Sequence, residues 1–365
     1  MSRKTNIINN ALTMIFMMIG LFFVVYACNS NYNKELIEVI LWFFLGAVIS
    51  GFINTVIHEL AHLVVGKKNG FAFSSMVIWF FKWSKVKNKI RFDFTMFGEE
   101  AGYTEMIPKN SENIAIRYQK MSIAGPIASF FCMLIGIAPF FISTLPYQLF
   151  CLWSVFLPVG AYFFFGSVLP VSSNGFRNDG AVYYCMKKMD DVSKVTVNLL
   201  SIQAEMYCGK TPCEVNENLY FDLPQLAEDN PVFAMLLNAR YNYYLDKGDY
   251  DNAKKVTERL LSIEEYIPKS YLNVVKTDAL YNACTFDYNE DIADDLVYEL
   301  EKYLNNINTA TNIRAKLSYL LYVKREKDSA DVFYGKGIKE ANRTLIKGYG
   351  NFERKLLEDM KKDIA

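Results

Sequence analysis

Apolar residues are spread unevenly along this chain. No charged side chain falls between Lys120 and Arg177. That stretch holds two apolar runs, 121–142 and 149–170, each near the ~20 residues that cross a bilayer as a helix. Two further runs, 8–28 and 36–65, come before them. The pattern therefore predicts four membrane-spanning helices. Between the second and third spans the period changes. Residues 71–83 and 90–97 alternate aromatic and β-branched residues, and 101–107 follows. They are expected to be short strands of a small sheet at the membrane surface. The other reading of 77–81 is a shallow interfacial patch with aromatic anchors. From Pro231 onward the spacing is that of amphipathic helices.

Charge orients the spans, because Lys and Arg stay on the cytoplasmic side. Arg3 and Lys4 put the N-terminus inside, and Lys67 and Lys68 end the second span there. Lys109, Arg117 and Lys120 start the third inside, the uncharged loop 143–148 fits outside, and Arg177, Lys187 and Lys188 bring the chain back. One alternating topology accommodates all five, with the N-terminus and the C-terminal domain cytoplasmic. The first span has a rival reading as a lipoprotein signal peptide ending at Val25-Tyr26-Ala27-Cys28, with Tyr26 a departure from the usual small residue. The formal net charge is zero, which argues against a nucleic-acid partner. The seven cysteines include no Cys-x-x-Cys pair, so no disulfide framework is expected. Cys132 and Cys151 read as small core residues, and Cys208 and Cys213 as a reduced cytosolic pair rather than a metal site.

The chain has only two histidines, four residues apart, in His58-Glu59-Leu60-Ala61-His62. On a helix that spacing turns both imidazoles to one face, where they can reach one metal, with the Glu59 carboxylate beside a metal-bound water. Imidazole suits zinc, which keeps an open position in catalytic sites. The motif lies near the cytoplasmic end of an apolar span, where ionisable groups are costly and usually functional. A third protein ligand is still required. Asp179, in Asn178-Asp179-Gly180 just after the fourth span, is the first acidic residue after Glu112. Spacing alone leaves it either a ligand or a turn and cap aspartate.

These residues resemble the site-2 protease family of intramembrane metalloproteases. The matching pieces are His58-Glu59-x-x-His62, Ala124-Gly125-Pro126 at the start of the third span, Ala101-Gly102-Tyr103 in the strands, and Leu169-Pro170 followed by Asp179-Gly180. The resemblance covers residues 36–185. It implies a zinc ion on His58, His62 and Asp179 with Glu59 as catalytic base. There are departures: Ser129 and Ser167 stand where the family often has asparagine, and the Pro170-to-Asp179 spacing is stretched. The family's asparagine before the proline is thought to hold substrate or stabilise the oxyanion. Here that role would fall to Ser167, Asn174 or a backbone N–H.

The expected architecture is a mainly α polytopic membrane protein with a small membrane-surface β-sheet and an all-α soluble C-terminal domain. Residues 1–35 form an extra N-terminal membrane helix, 36–185 the metalloprotease-like core, 186–230 a linker and 231–365 a helical domain. Gly248-Asp249-Tyr250 with Ala253 looks like the turn of a tetratricopeptide-type hairpin, with weaker echoes at 281–296 and 319–333. An irregular helical bundle is the alternative. The expected activity is zinc-dependent hydrolysis of peptide bonds in a membrane-embedded or membrane-associated substrate. The helical domain is expected to offer a surface for a protein partner. A non-catalytic membrane scaffold and a multi-span transporter are the competing readings.

Overall fold

A computed structural model describes residues 3–32, 36–86, 89–94, 102–173, 176–307 and 309–364. Ala101, Asn174 and the end of the expected strand 90–97 lie outside them. Two long helices come first, α1 (Arg3–Tyr32) and α2 (Leu36–Lys68). Four strands follow: β1 (Phe71–Ile78), β2 (Phe81–Val86), β3 (Lys89–Phe94) and β4 (Gly102–Pro108), in the order β3-β2-β1-β4. Then come α3 (Ile114–Ser122), α4 (Ala124–Ile135), α5 (Tyr147–Ser154) and α6 (Phe156–Val168). A two-residue ribbon, β5 (Ser172–Ser173) with β6 (Phe176–Arg177), leads into α7 (Asp179–Lys188). These elements make up nearly all of one compact unit.

Four segments are long and apolar enough to cross a membrane: Lys4–Asn29, Ile37–Lys68, Ile114–Phe141 and Tyr147–Val168. They coincide with the four expected spans, but the last two are not single helices. Ile123 and Val155 interrupt them, the third ends beyond Gly136-Ile137 in a short 3-10 turn (Ala138–Phe141), and each piece after the first interruption carries a proline in its first turn, Pro126 and Pro158. Proline lacks the N–H that an unbroken helix would need and fits a first turn without cost. The aromatic run 71–83 also divides. It folds back at Trp79-Phe80, so that Ile78 pairs with Phe81 and Ser75 with Ser84 in antiparallel register. Trp79 takes a left-handed φ of 56°, and its ring meets Phe52 of α2 edge-on at 5.4 Å. Contact with the membrane helix thus offsets the cost of a strained, non-glycine turn residue.

The second unit holds α8 (Asp191–Tyr207), α9 (Asn218–Phe221), α10 (Pro231–Lys247), α11 (Tyr250–Leu261), α12 (Lys269–Thr285), α13 (Glu290–Asn306), α14 (Ala310–Ser318), α15 (Lys327–Ala341) and α16 (Lys347–Ile364). The stretch 186–230, expected to be a linker, is largely folded. Ile202, Met206, Val215 and Tyr220 form a core with Tyr243 of α10, because the apolar residues of α8 recur on one helical face. From α10 to α15 the helices pair as successive hairpins. Gly248, at φ 78°, closes α10, and Asp249 caps α11. Inside this unit Arg314 is fully buried. It donates to Glu353 Oε2 at 2.8 Å and to Asp278 Oδ1 at 3.3 Å, and its guanidinium lies 4.0 Å from the centre of the Tyr281 ring. One cation between two carboxylates ties α12, α14 and α16 together.

Candidate metal centre

Helix α2 carries His58, Glu59 and His62, all buried. The four-residue spacing puts the imidazoles side by side, with ring centres 4.8 Å apart. Helix α4 faces them and supplies Ser129, whose Oγ lies 2.9 Å from His58 Nδ1. His62 Nδ1 lies 2.8 Å from the Met121 carbonyl oxygen. A carbonyl only accepts, so His62 Nδ1 carries the hydrogen and Nε2 is the ring's lone-pair nitrogen when neutral. Both Nε2 atoms turn toward Asp179.

Asp179 reaches the site because its neighbours take the local duties. Asn178 is the N-cap of α7: its Oδ1 accepts from Ala181 N at 3.0 Å and from Val171 N at 3.0 Å. The cap role that spacing had left open for Asp179 belongs to Asn178. Gly180 lets α7 start against the end of α6, since a Cβ there would lie 2.1 Å from the Val168 carbonyl oxygen. The Asp179 carboxylate then points at the imidazoles, with Oδ2 3.0 Å from His58 Nε2 and 3.4 Å from His62 Nε2. Burial would raise this carboxyl, but the hydrogen bonds and charges of His58 and His62 outweigh burial and hold it at about 2.

This donor set fits a metal. Both Nε2 atoms face the same carboxylate oxygen, so a cation must lie between ring and carboxylate, either a proton on the ring or a metal ion, and a metal ion serves both rings at once. Donor separations of 3.0 and 3.4 Å match the ~3.3 Å edge of a tetrahedron built from zinc bonds of about 2.0–2.1 Å. Space is kept clear on the α4 side by Gly125, where a Cβ would lie 2.4 Å from both Nε2 atoms. The three ligand atoms lie within 4.8 Å of one another, and no other group of three such residues occurs among the described residues. Cys208 and Cys213 belong to no such group.

Glu59 is held from β4, which lies at one edge of the sheet. Thr104 Oγ1 donates to Glu59 Oε2 at 2.7 Å. Gly102 lets the strand come close, as a Cβ there would lie 2.9 Å from Glu59 Oε1 and 2.7 Å from Thr55 Cγ2. Sequence reasoning missed Thr104 and the task of Ser129. Both contacts join elements far apart in the chain, and only the Ala-Gly-Pro and Gly-Tyr resemblances hinted at them. Ser167 turns its hydroxyl back on its own helix, to the Phe163 and Phe164 carbonyls, as helical serines commonly do. It is thus committed within α6 rather than free for an oxyanion.

No curated protein and no solved structure matches this chain. A sequence model of peptidase family M50 matches residues 43–327, which include most of α2, the sheet, α3–α14 and Asp179. The chain thus belongs to peptidase family M50, the site-2 protease family of membrane metallopeptidases.

Proposed function

We propose that this protein is an intramembrane zinc metalloendopeptidase, with His58, His62 and Asp179 as the metal ligands and Glu59 as the general base. The observation that carries the reading is the convergence of His58 Nε2, His62 Nε2 and Asp179 Oδ2 next to a buried glutamate, at the end of an apolar helix. A zinc ion on these ligands supplies Lewis acidity toward a peptide carbonyl and a water molecule. Thr104 occupies Glu59 Oε2, which leaves Oε1 to take the proton of the attacking water and hand it to the leaving amine. The Met121 carbonyl holds His62 in one tautomer and orientation, and Ser129 orients His58.

A substrate helix hides its carbonyls in its own hydrogen bonds and must unwind before it is cut. The edge strand β4, in contact with Glu59, offers main-chain groups to such an extended segment. The distribution of Lys and Arg supports a cytoplasmic N-terminus and a cytoplasmic helical domain. The successive hairpins α10–α15 suit a surface that positions the substrate or binds a protein partner.

The test compares the protein termini in membranes from cells making the wild-type enzyme or Glu59→Gln. The variant keeps all three ligands, so it should retain the metal while membrane-embedded precursors accumulate and their released fragments disappear. Identical termini in both would refute proteolysis and leave a metal-binding scaffold.

A further inference from the structure

The stretched segment between Pro170 and Asp179 poses a physical problem. The described backbone N–H and C=O groups of this segment follow directly on a membrane span, where each needs a partner. The β5–β6 ribbon and Asn178 satisfy part of this need. A further part comes from α1, which lies outside the residues matched by the family. Asn6 uses both ends of its amide on Ser172: Nδ2 donates to the Ser172 carbonyl, and Oδ1 accepts from Ser172 N at 3.1 Å. Asn9 Nδ2 donates to the Pro170 carbonyl at 2.6 Å. Asn6 and Asn9 are three residues apart and so share one helix face. Asn9 is buried, and one turn further on the buried Thr13 donates to the Asn9 carbonyl at 3.0 Å. Phe16 stacks on Phe165 of α6, with ring centres 3.9 Å apart, and fixes the height of α1 against that span.

The segment clamped in this way ends at Asn178 and Asp179. Asn178 is bound at every polar position of its amide. Its Nδ2 donates to the Gly166 and Leu169 carbonyls at 2.7 Å each, its Oδ1 accepts from Val171 N and Ala181 N, and its own N–H donates to the Val171 carbonyl at 3.1 Å. Val171, between the clamped Pro170 and Ser172, is thus tied directly to Asn178, the residue before the ligand. Metal ligands must hold their distances to about 0.2 Å. We propose that Asn6 and Asn9 are positioning residues for Asp179, so that α1 is an outer frame of the metal centre rather than an appended anchor. This rests on the metal-centre reading above. It also gives α1 a role that a cleaved signal peptide could not fill.

The experiment is cobalt(II) titration of the full-length protein in detergent, cobalt standing in for zinc because its visible absorption reports coordination geometry. Asn6→Ala/Asn9→Ala is compared with wild type and with Asn10→Ala, an exposed asparagine on the same helix. The double variant should bind cobalt more weakly by up to about 10-fold, the lower end of the loss seen for direct partners of a ligand, because Asn6 and Asn9 act on Asp179 one step further out. Its spectrum at saturation should also be altered, which a merely structural role would not produce. Asn10→Ala should match wild type. Wild-type affinity and spectrum in the folded double variant would overturn the proposal. If the double variant does not fold, Asn6→Ser and Asn9→Ser carry the same test one site at a time, and wild-type behaviour in both overturns it. Wild-type protein that takes up no cobalt would instead bring down the metal-centre reading, and this proposal with it.

Discussion

Gly125→Ala adds a single methyl group and replaces no ligand, yet it should cut metal affinity at least about a hundredfold. The added Cβ would stand 2.4 Å from both His58 Nε2 and His62 Nε2, and 2.6 Å from His58 Cδ2. Ordinary carbon–nitrogen contacts need about 3.4 Å or more, so each ring would have to retreat by about 1 Å. Neither ring is free to do so, because His58 Nδ1 is engaged by Ser129 and His62 Nδ1 by the Met121 carbonyl. A displacement of 1 Å is about five times the tolerance of a zinc ligand. Loss of at least a hundredfold in affinity, about 2.8 kcal/mol, is expected. The assay is competition for zinc against a chelator of known affinity, with the helical content checked by circular dichroism. Gly166→Ala is the control: its Cβ would meet only Thr13 Cγ2 at 3.5 Å, an ordinary contact. Near-native zinc affinity in folded Gly125→Ala would refute the placement of the metal between these imidazoles.

Two other outcomes follow from the same geometry and packing. Ser129→Ala should weaken zinc binding by about 10- to 100-fold, with Ser129→Asn restoring part of it, as measured by the same competition; unchanged affinity would show that His58 needs no fixed partner. In the helical unit, burial raises the Asp278 carboxyl to about 7, and Glu353 adds to this against the pull of Arg314. The folded unit therefore keeps a proton that the unfolded chain releases above about pH 4. Stability falls as pH rises from there, and the loss is complete above about pH 7. Melting should come earlier at pH 8 than at pH 5.5, and Asp278→Asn should flatten that slope; an unchanged slope would remove Asp278 as its source.

The parts of this account that were legible in the sequence are those with a short period or a rare residue. Four spans follow from apolar runs and the gap in charge between Lys120 and Arg177. The His58–His62 pair follows from a helical spacing and from the absence of any other histidine. Asp179 could be singled out only because few acids lie near it. The breaks at Ile123 and Val155 were in principle readable from Pro126 and Pro158, but an apolar run conceals a one-residue interruption. The turn at Trp79-Phe80 carries no glycine, proline or asparagine, so the alternation runs through it. What the sequence could not show was who holds whom. Thr104 reaches Glu59 across 45 positions, Ser129 reaches His58 across 71, and Asn9 reaches Pro170 across 161. No local pattern encodes such pairs. Its basic start, apolar run and Val25-Tyr26-Ala27-Cys28 made α1 look like an appended or removable helix until the partners of Asn6 and Asn9 were seen.

The most direct measurement is metal content per chain in the purified full-length protein, run beside Asp179→Ala. The account predicts about one zinc per wild-type chain, because closing the third ligand position stabilises the ion, and little or none in the variant. A folded wild-type protein without metal would contradict the metalloprotease reading itself. Zinc retained by Asp179→Ala would mean that Asp179 is not the third ligand.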